Sequence, residues 1–140
     1  MKISKSAYEY HFVYCLGSVA YAATEILYRG HTHWTMVITG GVCAASIHHI
    51  SKKTEGRSLT YRAFLGSGAV TLLELSVGCM VNRFLKWQVW DYSNIPLNIL
   101  GQICPLFSFF WFLMCIPGVM LCDKISKSFK IYFSLKDIKD

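Results

Sequence analysis

Apolar residues gather along this chain in four long runs, 10–28, 34–50, 63–81 and 103–121, each set off by a short polar stretch. About 20 residues at a rise of 1.5 Å cover the ~30 Å hydrocarbon core of a bilayer, so each run is close to the length of a membrane-crossing helix. The third is nineteen residues long and carries a single charge, Glu74, near its middle. A carboxylate at that depth costs about 2.5–3.5 kcal/mol on insertion scales, and such residues face protein or a water-filled cavity. A second carboxylate, Glu25, lies near the end of the first run. The pattern predicts an all-α polytopic membrane protein with four transmembrane helices and a polar interior.

The stretch 82–102 is too polar to cross. Trp87, Trp90 and Tyr92 suit the membrane–water boundary, and Pro96 and Gly101 punctuate the segment as an outer interfacial or re-entrant loop. Within the runs, small residues mark faces where helices approach closely. They are Gly17, Ser18, Ala22 and Ala23 beside Tyr14 in the first run and Gly40-Gly41 in the second. The third has Gly66, Ser67, Gly68, Thr71, Ser76 and Gly78. Gly30 reads as a stop for the first helix. Pro117-Gly118 is expected to bend or end the fourth.

Composition agrees with a membrane class. Of the 140 residues 54% are hydrophobic and only 16% charged, against roughly 25% charged in soluble domains. The divisions are a four-helix membrane domain over 1–122 and a basic cytoplasmic tail over 123–140. The formal charge of +6 does not point to nucleic acid, because the basic residues cap apolar segments rather than forming a stripe with exposed aromatics. Lys2, Lys5, Lys52, Lys53, Arg57, Arg62, Lys124, Lys127, Lys130, Lys136 and Lys139 fall on one side, and Arg29, Arg83 and Lys86 on the other. The positive-inside rule then puts both termini and the second loop in the cytoplasm of a multi-pass cell-membrane protein. Lys2, Lys5, an apolar stretch and Ala20-Tyr21-Ala22 also imitate a cleavable leader. Glu9 and His11 interrupt that stretch and three further runs follow, so the segment is read as the first membrane helix. After Asp123, lysines alternate with Ile125, Phe129, Tyr132 and Leu135. This is either an amphipathic helix on the anionic leaflet or a solvated tail.

The topology gathers unusual polar residues toward the outer side. Glu25 and Arg29, four apart, share a helix face. His31 and His33 follow. Glu74 is about 16 Å along its helix from Ala63, past the midplane toward the same side. Asn82, Arg83, Asp91, Tyr92, Ser93, Asn98 and Gln102 lie in or beside the outer loop. These imply an outward-opening polar pocket roofed by the Trp-rich loop, suited to a small polar solute, a cation or a proton. The competing reading is a set of interhelical contacts that only fix packing, Glu25 with Arg29 and Glu74 with Arg83 or a loop amide. No cofactor or metal is expected: His31 and His33 lack a third placed ligand, and Ser93 beside Asp91 has no histidine to activate it. His48-His49 reads as polar residues of the inner membrane edge. The six cysteines form no C-x-x-C pair and read as small packing residues, with a bridge between Cys79 and Cys104 as the one disulfide to consider. No phosphate-loop motif G-x-x-x-x-G-K-[ST] exists, so the chain is not itself an ATPase of that type.

The run from Tyr28 through Arg29, Gly30, His31, Thr32, His33, Trp34 and Thr35 to Met36, then Gly40-Gly41 and Glu74, and the stretch from Trp90-Asp91-Tyr92-Ser93 to Gln102-Ile103-Cys104 resemble the family described as putative ABC-transporter type IV, the CmpB-like group of small bacterial membrane proteins. The likeness spans all four runs, and Trp-Asp-Tyr-Ser is its most specific part. Small multi-pass animal proteins look similar through the first-span glutamate, Glu74 with Gly78, and the same Trp-Asp-Tyr-Ser stretch. The resemblance implies an uncleaved first helix and a transport-related role as a permease component. Its residues carry onto Glu25, Arg29, His33, Trp34, Glu74, Trp90, Asp91, Tyr92, Ser93, Asn98 and Gln102 as a ligand-binding set. Two other functions stay open. One is a membrane-embedded enzyme on a lipid-type substrate with Glu74 or Asp91 as acid/base; the other is a non-catalytic scaffold. Four short helices enclose little volume, so the expected partners are the lipid bilayer and either further copies of the chain or an ATPase subunit.

Overall fold

Four helices account for most of the chain in a computed structural model that describes residues 5–139. Lys2 lies outside the described residues, as does the side chain of Lys139. Helix α1 runs Lys5–Arg29, α2 Trp34–Lys53, α3 Leu59–Gly78 and α4 Pro105–Lys139. A π-helical turn, Cys79–Phe84, extends α3 without a break. Two of these, Leu59–Phe84 and Pro105–Lys136, are long and apolar enough to cross a membrane.

Local chemistry explains the ends. Gly30, at φ +77°, closes α1 by returning its N–H to the Ile26 carbonyl at 2.8 Å, the left-handed stop that glycine adopts without a Cβ penalty. His33 caps α2, its ring Nδ1 accepting from the Thr35 N–H at 3.4 Å and lying 2.7 Å from the Thr35 hydroxyl. Ser58 caps α3 by accepting from the Tyr61 N–H at 3.3 Å, as a short hydroxyl side chain does at an N-terminus.

α1 packs mainly against α2 and α3 against α4, with α2 also reaching α3 and α4. The α1–α2 contact is backbone-close, as the small residues required. A Cβ on Gly17 would collide with Ala44, and one on Gly40 with the Tyr21 side chain. On α3, Gly66 faces Cys115 of α4, whereas Gly68 faces open space. The six cysteines are free thiols, Cys79 and Cys104 included.

Two expectations change here. Pro117 neither ends nor divides α4, which continues through it for 35 residues, about 52 Å at 1.5 Å per residue. A proline removes one N–H from the ladder, and in apolar helices neighbouring groups re-satisfy the freed carbonyl. The tail is therefore the continuation of α4, not a separate helix or a frayed end. Its rings pack on the start of α1, Phe129 on Phe12 at 5.8 Å and Phe133 on Tyr8 at 6.3 Å between centroids. His48 is fully buried at 0% exposure, while its neighbour His49 is exposed, so the two histidines read together as polar edge residues have different surroundings.

Candidate functional site

The residues of interest collect at the end of the bundle where α1 finishes, α3 passes into its π turn and α4 begins. Glu25 and Arg29 form the i,i+4 pair that their spacing required, Arg29 Nη2 donating to Glu25 Oε1 at 2.7 Å. The second Glu25 oxygen accepts from the Thr32 hydroxyl at 2.6 Å. Arg29 Nη1 donates to the Val89 carbonyl at 2.6 Å, fastening the 85–104 loop to α1. Its Nε is buried without a hydrogen-bond partner among the described residues.

Glu74 points into the protein and is 3% exposed. Its Oε1 accepts from the Tyr21 hydroxyl of α1 at 3.0 Å. Trp111 of α4 stacks on the Tyr21 ring, 5.5 Å and 21° apart, and its indole approaches the same carboxylate. Three helices thus meet at one acid. The expected partner, Arg83, is elsewhere, its Nη1 reaching only the Leu100 carbonyl at 3.5 Å. The reason is directional: Arg83 lies in the π turn beyond Gly78, which carries its side chain out toward the loop surface.

Asn82 organises the loop. Its amide donates to Gln102 Oε1 at 2.7 Å, and its oxygen accepts from the Val89 N–H at 2.6 Å and the Trp90 N–H at 3.4 Å. The Trp90 indole donates to the Gln102 carbonyl at 3.0 Å, and the Gln102 amide to the Leu100 carbonyl at 3.0 Å. Both rest on Gly78, where a Cβ would stand 2.5 Å from Gln102 Oε1 and 2.8 Å from the Trp90 ring. Trp90 belongs to the apolar core with Met36, Val81 and Val89, and Tyr21 and Tyr92 pack on it. Tyr92 stacks on Phe107 at 4.4 Å and 9°.

The remaining loop residues shape the loop itself. Asp91 accepts from the Ser93 hydroxyl at 2.5 Å and the Ser93 N–H at 2.8 Å. These bonds, the hydroxyl first, hold its carboxyl below the ordinary aspartate range. Asn98 donates to the Ser93 and Ile95 carbonyls, and its oxygen takes the Gly101 N–H at 2.9 Å. Gly101 has φ +71°, and a Cβ there would meet Ser93 Oγ at 2.5 Å. His33 and Trp34 stand apart from the acids in an aromatic cluster with Trp87, with centroids 5.6–5.8 Å apart. The structure therefore brings Glu25, Arg29, Glu74, Trp90 and Gln102 to one end under one loop. It turns Asp91 and Ser93 to the loop's surface and Trp34 toward the surroundings, while Asn98 is half-buried within the loop.

Tyr21, Thr32 and Trp111 were not among the residues singled out from the sequence. Tyr21 was legible in part, since it is four residues before Glu25 on the same face; nothing local marks Trp111. A second polar cluster at the opposite end was also missed. Arg62 grips Asp123 with both terminal nitrogens at 2.9 and 2.6 Å and also bonds Ser51, while Glu9 meets Lys52, Ser126 and His48.

The molecule is a small all-helical protein with two helices long and apolar enough to cross a membrane and a polar cluster at each end. The family described as putative ABC-transporter type IV matches residues 9–138, nearly the whole chain, and the protein belongs to that family. No curated protein and no solved structure matches it.

Proposed function

We propose that this protein is a permease-like component with four membrane spans, both termini cytoplasmic, and an outward-facing polar recess for a monovalent cation, a proton or a small solute. The two apolar helices, the family and the asymmetry of basic residues support the arrangement. α1 and α2, at 25 and 20 residues, are each long enough to cover about 30 Å at 1.5 Å per residue.

Glu74 is the observation that carries the reading. It is buried, it has hydroxyl and indole neighbours, and no basic side chain pairs with it among the described residues. Burying an ionised carboxylate without a counter-charge is costly. A cation or proton delivered to it relieves that cost, which is what a transported species must do. Arg29 Nε, a donor left over beside Glu25, offers a hydrogen bond to an acceptor atom of a small polar solute, not to a cation. The loop from Trp90 to Gln102 is the gate. A chain without a phosphate loop takes ATP energy only from a separate ATPase subunit, which mild-detergent purification would recover.

A second reading, a non-catalytic scaffold, is favoured by the way Asn82, Gln102, Trp90 and Glu25 satisfy one another internally. One experiment separates the two. The protein is reconstituted in liposomes holding a pH-reporting dye, and proton flux is driven by a potassium diffusion potential with potassium and sodium gradients varied in turn. Transport predicts flux in the native protein and its loss in Glu74→Gln, with the variant equally abundant and equally heat-stable. Stable native protein with no flux of any of these ions, or full flux in the variant, refutes the cation and proton versions. Loss of the variant from the membrane supports the scaffold.

A further inference from the structure

The cluster at the inner end of the bundle has features that packing alone leaves unexplained. Glu9 of α1 is 7% exposed. One of its oxygens accepts from Lys52 Nζ of α2 at 2.9 Å, the other from the Ser126 hydroxyl of α4 at 2.5 Å. His48 of α2 is fully buried, with Nε2 3.1 Å from Glu9 Oε1. The approach lacks hydrogen-bond alignment, and both ring nitrogens are without a hydrogen-bond partner among the described residues. The Tyr10 ring sits edge-on to the imidazole at 4.9 Å. Buried polar atoms with no partner cost free energy and call for a functional explanation.

We propose that Glu9 and His48 form a proton-binding site in which a proton taken up by the imidazole displaces the Lys52 ammonium from Glu9. The charges balance. Before uptake, the buried set holds the Glu9 carboxylate, the Lys52 ammonium and a neutral imidazole. Afterwards the imidazolium N–H donates to Glu9 Oε1, and the pair is again neutral. Lys52 then no longer has a counter-ion to itself, and its side chain, already 35% exposed, moves into water. Among the described residues, the other acid whose charge acts on His48 is Asp123, and it is already paired. On α4, Asp123 is held by Arg62 of α3 and by Ser51 of α2, and the nearby Cys122 is a buried free thiol. On α1, Tyr10 presents its ring to His48 and its hydroxyl to His49 at 3.0 Å. Of the described acids acting on His48, Glu9 is therefore the one that can change partner. It also ties α1 to α4 through Ser126, so the exchange alters the joint where the α4 extension meets the start of α1.

The inference does not depend on transport, and its test has no flux in it. The full chain in nanodiscs is treated briefly with an amine-acylating reagent from about pH 8 to 5, the range in which imidazoles titrate. Modification of Lys52 is expressed relative to exposed Lys53 by mass spectrometry, so the ordinary loss of amine reactivity in acid cancels. The ratio is expected to rise several-fold as the pH falls and to stay low and flat in His48→Gln. In Glu9→Gln it should be high throughout. Nitrogen NMR of the imidazoles in the native protein should show His48 taking up a proton over the interval in which the ratio rises. That pair of native-protein measurements stands even where a variant fails to fold. A flat native ratio, or a His48 ring that stays neutral while the ratio rises, overturns the proposal.

Discussion

Replacing Asn82 with alanine tests most directly how the 85–104 loop is held. The side chain makes one bond to Gln102 Oε1 at 2.7 Å and accepts the Val89 N–H at 2.6 Å. A neutral hydrogen bond contributes about 0.5–1.5 kcal/mol, and a buried N–H left without an acceptor costs about 1–3 kcal/mol. Val89 is 8% exposed, so the upper part of that range applies, and the bond to the Trp90 N–H at 3.4 Å adds little. The sum is roughly 2–4 kcal/mol, and it falls on the loop rather than on helices whose packing is untouched. Local opening should therefore become roughly 30- to 700-fold more frequent. Hydrogen exchange by mass spectrometry in nanodiscs reads this as faster exchange across 85–104 with α1 to α4 unchanged, and Trp90 fluorescence should shift to the red. Asn82→Asp keeps the acceptor for Val89 but sets a carboxylate against Gln102 Oε1. It should fall between the native protein and the alanine variant at Val89, and near alanine at Gln102. Unchanged exchange in the loop of the alanine variant, or acceleration spread equally over all four helices, would refute the assignment of Asn82 as the loop's anchor.

Three other expectations follow from particular contacts. Gly40→Val pushes a branched side chain into Tyr21 and the α1 backbone and should cost about 1–3 kcal/mol by overpacking, whereas Gly68→Ala, facing open space, should leave detergent melting within error of the native protein. Arg62→Lys loses the two-pronged grip on Asp123 and the bonds to Ser51; because Asp123 is partly exposed the loss should be roughly 1 kcal/mol, read as a lower melting temperature that Asp123→Asn does not lower further in the double variant. The Asp91–Ser93 turn, whose carboxyl is held below its ordinary range, contributes its stabilisation fully above the unfolded aspartate value of about 3.9. That contribution is lost as the pH falls through the lower folded value, so Ser93 amide protection should be constant from neutral to mildly acidic pH and fall only in strong acid; in Asp91→Asn, whose neutral amide oxygen still accepts the Ser93 N–H, it should be weaker and independent of pH.

The order of residues alone determined where the four apolar runs form helix, but it left the stretch after Asp123 open, and there the fold continues α4 to Lys139. Residue order also determined the contacts that lie within one or two turns. Glu25 meets Arg29 because a helix places residues four apart on one face, and Gly30 ends α1 because its backbone turns left-handed there. The close approach of α1 and α2 was legible too, because Gly17 and Gly40-Gly41 leave no side chain to hold the backbones apart. What the fold decided is every partnership across helices. Glu74 meets Tyr21, 53 positions away, instead of the nearer Arg83. Asn82 serves the loop, and Arg62 finds Asp123 at a separation of 61. Pro117 is absorbed within α4, and His48 is drawn inside against Glu9 while His49 stays out. The cause is the same in each case. Sequence spacing sets only the face a side chain occupies; helix rotation and tilt, set by the packing of all the others, choose what that face meets.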